Sequence, residues 1–304
     1  MISLSGISSA LGKVVSLNAL PLTPQQQDQL LDVRIKSYSN CSDETLTMLA
    51  SRALVSTLAK SNINASRIDA LIICTSSYWH HTDLSPKLLS EAVFDLGLVN
   101  ANLFLTSVPG CHNAITGFRF ARNILVAESL SNVLVCTCDI ASDDDHRLGE
   151  GPSIIGDGAG SCLLSNSVNG DFELIDLLQS DVHAMTQLSV DGDDRRMHNV
   201  EWLNQISIIT RHILDRNGLD PAQISMLIPN NYNASVTESI AKIVKIPLQN
   251  TIRFEELHGH IWSSDTILGL NRIDVDILQS GDLILLLSTG PFYFGVALMR
   301  YLRK

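Results

Sequence analysis

The stretches SNINASRIDALIICT (Ser61–Thr75) and NGLDPAQISMLIPN (Asn217–Asn230) decide the fold. Each follows a segment with helical spacing of apolar residues, crosses a short polar turn to an isoleucine (Ile68, Ile224), and runs into a buried strand. Upstream of the first lies a helix over Glu44–Lys60, with Asp43 as its expected N-cap; upstream of the second, a helix over Leu203–Arg216. Ala70–Cys74 (ALIIC) is wholly apolar, as in a strand covered on both faces. Downstream, Pro86–Leu96 reads as a helix begun by Pro86 and stopped at Gly97, Asn102–Thr106 as a strand, Cys111–Ala127 as a long amphipathic helix and Asn132–Cys138 as another buried strand.

Strands separated by helices imply right-handed βαβ units and a mostly parallel sheet. The second half repeats the grammar of the first. In each, a chemically interesting residue is expected to open a later helix: Cys111, 43 residues after Ile68, and His260, 36 residues after Ile224. Repetition on this scale predicts two similar α/β halves, residues 1–166 and 167–304, about a pseudo-two-fold axis that brings equivalent loops to the centre. The join falls in the polar, turn-forming Asn166–Gly170.

Composition narrows the function. The 304 residues are 45% hydrophobic and 17% charged, which suits a globular chain with a large core. A net charge of −11 argues against nucleic acid or an anionic membrane as partner. No run approaches the roughly 18 apolar residues of a membrane span, and Met1–Leu20 lacks the basic and apolar regions of a signal peptide. Six cysteines in so long a chain make no disulfide framework, so a cytoplasmic protein is expected.

In LTSVPGCHNAITGFRFA (Leu105–Ala121) a strand ends, a turn carries Pro109 and Gly110, and Cys111 begins a helix. A thiol there feels the positive end of the helix dipole, which favours the nucleophilic thiolate. Cys74, Cys136, Cys138 and Cys162 lie in strand-like apolar runs as inert small hydrophobes, and Cys41 falls in a polar loop. SIIGDGAGSCLLS (Ser153–Ser165) looks like a phosphate loop but leads into a strand without Gly-Lys-Ser/Thr; it reads as a tight turn with Asp157 bonded to local backbone. Three later segments place polar or glycine residues after apolar stretches: IPNNYNAS (Ile228–Ser235), ELHGHIWSSD (Glu256–Asp265) and STGPFYFGVALM (Ser288–Met299). Ligands bind beyond the carboxyl ends of parallel strands, so Asn230, His260 and Gly290 are candidates to converge on Cys111. His258 and His260 lack the carboxylate cluster a metal site needs, and no metal is expected.

Together these segments resemble the thiolase superfamily, most closely the β-ketoacyl-acyl-carrier-protein synthase III group, over nearly the whole chain. The resemblance rests on Cys111, GDGAG (Gly156–Gly160), IPNNYN (Ile228–Asn233), HGHIWS (His258–Ser263) and TGPFYFG (Thr289–Gly295). It implies a layered αβαβα sandwich. It also implies a catalytic triad of Cys111, Asn230 and His260, with imidazole and carboxamide exchanged relative to the family: its histidine falls on Asn230 and its asparagine on His260. Backbone N–H groups of Cys111 and Gly290 would hold the oxyanion, and Trp79, Leu84, Asn233 and Phe292 would contact substrate. The family's Gly-Gly-Gly is reduced to Thr289, Gly290 and Pro291, its docking arginine is Ser235, and a nucleotide-contacting segment looks deleted around Gln29–Ser39.

No tightly bound cofactor is implied; the substrate would be an acyl thioester of coenzyme A or of an acyl-carrier protein. The family forms homodimers, here through Asn102–Thr106, with the loop Tyr78–Ser85 lining the partner's pocket. The first functional expectation is condensation of an S-acyl enzyme with a malonyl-type acceptor in fatty-acid or polyketide-like biosynthesis. The alternatives are acyl transfer to an O, N or S acceptor, and a noncatalytic partner subunit of a heterodimeric synthase.

Overall fold

The computed structural model describes residues 1–77, 84–108, 110–148, 152–188, 194–253 and 255–303. The first half contains β1 (Ser3–Leu11), β2 (Lys13–Ser16), α1 (Pro24–Asp32), β3 (Ser37–Asn40), α2 (Leu46–Ser61), β4 (Ala70–Cys74), α3 (Pro86–Asp95), β5 (Asn102–Thr106), α4 (Asn113–Ala127), β6 (Asn132–Asp139), α5 (Asp144–Arg147) and β7 (Gly158–Ser165). The second contains β8 (Phe172–Asp181), α6 (Asp194–Arg216), β9 (Ile224–Ile228), α7 (Ala234–Val244), α8 (Glu255–His258), α9 (Asp265–Asn271), β10 (Leu283–Thr289) and β11 (Tyr293–Tyr301).

Local chemistry sets the element ends. Helix α2 starts two residues later than expected: Thr45, not Asp43, accepts the Met48 N–H, and Asn62 closes the helix in the left-handed region. Ser85 caps α3 with Pro86 in its first turn, as the sequence signals.

The strands are ordered β5-β4-β6-β7-β1-β8-β11-β10-β9. From β5 to β1 the pairings run parallel, parallel, antiparallel, antiparallel. From β9 to β8 they run parallel, antiparallel, antiparallel. The second half thus repeats the first about the β1/β8 seam, where two residue pairs join the halves. Opposite the place of β5, the second half has a single parallel bridge, Leu227 with Thr251.

Helix α2 covers β1, β6 and β7 on one outer face, and α6 covers β8 and β11 on the other. Between them lie α4 and α9. Helix α4 touches β4 and β6 of its own half and β8 and β11 of the other; α9 touches β9 and β10 and also β1 and β7. The result is an αβαβα sandwich with three apolar cores, one under each outer helical layer and one around the central pair. Because α4 and α9 are central, what precedes each of them arrives at the same interior point. No helix among the described residues is long and apolar enough to cross a membrane.

Candidate active site

Cys111 does not open α4 itself. It sits in a single 3₁₀ turn, Gly110–His112, ahead of the helix. Gly110 takes φ +58°, a left-handed conformation that turns the chain off the end of β5 and leaves Cys111 half-buried. The next side chain, His112, points away into the core. Its Nδ1 faces the Ser288 carbonyl at 3.0 Å, and Gln179 Nε2 donates to its Nε2 at 2.6 Å. Burial pushes its pKa down to about 4, so His112 is a neutral structural imidazole.

His260 also differs from the expected helix start: α9 begins five residues later, at Asp265. His260 is held instead by the Gly-Asp-Gly-Ala-Gly turn. It forms a parallel bridge with Ile155, donates its N–H to the Ile154 carbonyl at 2.7 Å and accepts from Gly156 N–H at 2.9 Å. This close approach needs two glycines. A Cβ on Gly156 would lie 2.1 Å from the His258 carbonyl, and one on Gly259, which has φ +68°, would lie 2.5 Å from the Ile154 carbonyl. Asp157 of the same turn is buried, but not on local backbone: it accepts from Cys41 N–H and Ala141 N–H and pairs with both guanidinium nitrogens of Arg147 at 2.8 Å. Cys41 lies in a loop, as expected, just after β3, but it is buried there, and burial pushes its pKa up to about 12.

So placed, His260 Nε2 lies 3.1 Å from Cys111 Sγ, and its Nδ1 lies 2.5 Å from Asp265 Oδ2. Asp265 is fully buried and accepts two further bonds, from Asn231 N–H and Ile261 N–H. Burial alone would drive His260 to its neutral form. The Asp265 carboxylate, and after it Cys111, outweigh that and hold its pKa up at about 10. His260 Nε2 is thus placed to exchange a proton with the Cys111 sulfur, the geometry of a nucleophile–base pair. Tyr232 packs on the ring, centroids 4.4 Å apart, and donates its hydroxyl proton to the Thr289 carbonyl at 2.7 Å. His258 faces Arg272; burial and that charge push its pKa down to about 4.

A cavity of about 460 Å³ opens over the pair. Cys111, His260, Tyr232, Trp202, Trp262, His198 and Gly290 are among its lining. The other expected site residues sit differently. Asn230 is buried beside the cavity, with its amide spent on backbone: Oδ1 accepts from Thr289 N–H at 2.7 Å, and Nδ2 donates to the Trp262 carbonyl at 3.3 Å. Gly290 lines the cavity, but its N–H donates to the Tyr293 carbonyl at 2.8 Å and closes the β10–β11 hairpin, so it is not an oxyanion donor. Asn233 does line the cavity, where it caps α7 through Val236 N–H and donates to the Pro152 carbonyl. Phe292 packs on the second half's outer core and against the His198 ring, not in the cavity. Leu84 is a core residue of the first half's outer layer. Trp79 lies outside the described residues, as does most of the Tyr78–Ser85 loop. Sequence reasoning missed Asp265, although it closes the quoted segment Glu256–Asp265; a carboxylate five residues after a histidine was the available signal.

Comparison with known proteins agrees with the architecture. The model for the C-terminal part of 3-oxoacyl-[acyl-carrier-protein] synthase III matches residues 214–301, the stretch carrying Asn230, His260 and Gly290. The β-ketoacyl-[acyl-carrier-protein] synthase III of Ruegeria pomeroyi is 25% identical, over 85% of this chain and 84% of its own. The chain is similar to synthase III proteins in sequence and shares their fold. Among solved structures, the Aquifex aeolicus 3-oxoacyl-[acyl-carrier-protein] synthase III superposes on this synthase III-like chain with a TM-score of 0.82 at 18% identity, covering 99% of this chain and 100% of that one. ChlB3, described as an acyltransferase, superposes with a TM-score of 0.84 at 17% identity, covering 99% and 98%.

Proposed function

We propose that this synthase III-like chain is an acyltransferase that moves an acyl group from a thioester to Cys111 and then to an oxygen, nitrogen or sulfur acceptor. One observation carries the reading: His260 is held between Cys111 and Asp265, while the Asn230 amide is turned away from the cavity onto the Thr289 and Trp262 backbone. Decarboxylative condensation needs two donors directed at a substrate carbonyl that becomes an enolate. Here one of the two candidates, Asn230, is turned to backbone and does not line the cavity, and the other is tied into a nucleophile–base–carboxylate relay. Such a relay is suited to taking and returning protons.

The steps balance as follows. The Cys111 proton rests on His260, and the thiolate adds to the thioester carbonyl. Collapse expels the donor thiolate, which takes the proton from His260 and leaves S-acyl Cys111 beside a neutral imidazole. Acylation removes the sulfur charge that helped hold the imidazolium, so His260 becomes available as a base. It then takes the proton of the acceptor as that atom attacks the acyl carbonyl. Expulsion of Cys111 thiolate restores the starting pair. Asp265 keeps Nδ1 protonated and Nε2 directed at sulfur throughout.

The donor would be an acyl-coenzyme A or acyl-carrier-protein thioester. The assembly would be a homodimer through β5, whose Phe104 and Leu105 are 40% and 36% exposed on an edge strand. The test is intact mass after incubation with short-chain acyl thioesters, followed by discharge. Acylation of wild type but not of Cys111→Ala, with release to hydroxyl, amine or thiol acceptors, is the expected result. Discharge only by malonyl thioesters with loss of carbon dioxide would replace the reading with condensation. No adduct from any donor would favour a noncatalytic partner subunit.

A further inference from the structure

The expected oxyanion donor on the β10–β11 turn is missing. The Gly290 N–H is committed to Tyr293, and Pro291 has no N–H at all. A nucleophile that generates a tetrahedral oxyanion still needs donors aimed at it. Another donor lines the same cavity. Trp262 is two residues from His260, its ring centroid is 6.4 Å from the imidazole centroid, and its Nε1 is buried with no hydrogen-bond partner among the described residues.

An indole N–H can only donate, so its need for an acceptor is absolute. The other unpartnered buried nitrogen on this wall, His198 Nε2, imposes no such need, because a neutral imidazole nitrogen can also be an acceptor. The backbone strengthens the case. Trp262 takes φ +43°, left-handed space that a bulky residue occupies only when its surroundings force it. The force is visible: Asn230 Nδ2 grips the Trp262 carbonyl while its Oδ1 holds Thr289 N–H, and the His146 ring packs edge-on at 5.3 Å. Ser263 and Asp265, on the C-terminal side, are anchored to Asp139 and to Asn231.

We propose that Trp262 Nε1–H is an oxyanion donor for the acyl-transfer step at Cys111, and that Asn230 is the positioning residue that fixes it. The inference rests on the acyl-transfer reading above. It also gives the exchanged asparagine a role: it holds the turn that presents the replacement donor.

The test is Trp262→Phe, which keeps an aromatic ring and removes the N–H, with two reactions of Cys111 compared. Acylation by a short-chain acyl thioester passes through an oxyanion. Alkylation by iodoacetamide, a displacement at saturated carbon, does not. The expected result is a loss of about 10²–10³ in acylation rate, the range for one lost oxyanion donor, with alkylation unchanged. Equal slowing of both, or of neither, would overturn the proposal.

A second measurement uses the wild-type chain with its three tryptophans ¹⁵N-labelled. A short alkyl trifluoromethyl ketone adds Cys111 thiolate to its carbonyl, forming a carbon–sulfur bond and an oxyanion. The Trp262 indole N–H should move downfield in that adduct, whereas the Trp202 indole, already donating to the Gly290 carbonyl at 3.1 Å, should not. An adduct that leaves the Trp262 indole unmoved overturns the proposal even if Trp262→Phe fails to fold. If thioesters acylate wild type and the indole is silent, this inference fails and acyl transfer survives. If no thioester acylates it but the ketone adduct moves the indole, acyl transfer fails and the donor assignment stands. Failure of thioesters and ketone alike overturns both.

Discussion

Replacing Asp265 by Asn keeps the side chain's shape and removes its charge, so it isolates what the carboxylate does for His260. In the native site one fully buried carboxylate accepts from His260 Nδ1, Asn231 N–H and Ile261 N–H. An amide has one oxygen and must turn an NH₂ toward at least one of these donors. If the NH₂ faces His260, the imidazole adopts the wrong tautomer, with its proton on Nε2 and no lone pair toward Cys111. If it faces the backbone, a buried N–H is left unmatched at about 1–3 kcal/mol of stability. In other hydrolytic triads the equivalent Asp→Asn change costs about 10⁴ in kcat, and a loss of about 10³–10⁴ in acyl transfer is expected here.

The pH behaviour supplies an independent check. The His260 pKa is raised from 6.5 to about 10, so its interactions contribute stability fully below pH 6.5, and that contribution is lost as pH rises through about 10. Without Asp265, burial of the ring is opposed by one charge fewer, and the pKa falls. The assays are single-turnover acylation by intact mass and NMR titration of the His260 ring. Turnover within tenfold of wild type, or a His260 titration unchanged by Asp265→Asn, would refute the relay.

Three further outcomes are expected. Gly259→Ala places a methyl 2.5 Å from the Ile154 carbonyl at φ +68°, so it should shift His260 and cut acylation about a hundredfold, with a lowered melting temperature by calorimetry. The double change Asn230→His with His260→Asn, which restores the family's arrangement, should abolish acyl transfer, because Asp265 would face an amide and position 230 lies off the relay; retained acylation by mass spectrometry would contradict this. Sedimentation at micromolar concentration should find a dimer for the wild type and a monomer for Phe104→Lys with Leu105→Glu on the exposed edge of β5; a monomeric wild type would refute the proposed assembly.

Much of the architecture was legible because it depends on local pattern. The matching segments Ser61–Thr75 and Asn217–Asn230 announced a repeated unit, and the strand order repeats about the β1/β8 seam. The limits Ala70–Cys74 and Asn102–Thr106 were readable because turn residues bracket apolar runs. The shift of the α2 cap from Asp43 to Thr45 shows the ordinary reach of such signals: several polar residues compete, and the apolar face against β1 and β7 selects among them.

The site was legible only in part. That Cys111, rather than the cysteines of the buried strands, would line the cavity beside an imidazole followed from a glycine turn between a strand and a helix, which is a local feature. So did the preference for His260 over His112 and His258, given the repeat. Asp265 was not readable, since rules for side-chain pairing assume regular α-helix or strand, and between Ile261 and Asp265 the chain makes a single 3₁₀ turn, Trp262–Ser264. It reverses at Trp262, in a conformation no propensity favours, and only that reversal brings the carboxylate back beneath the imidazole. Gly290 and Asn230 failed as donors for a related reason. Whether an N–H or an amide is available depends on which groups it already meets, Tyr293 in one case and Thr289 and Trp262 in the other. The sequence by itself determined the repeated α/β halves and singled out the cysteine that the structure places against His260, because periodicity and turn chemistry are properties of neighbouring residues. The tertiary structure alone decided which carboxylate completes the relay and which donors remain unspent, because hydrogen bonds between distant segments exist only after the central layer has packed.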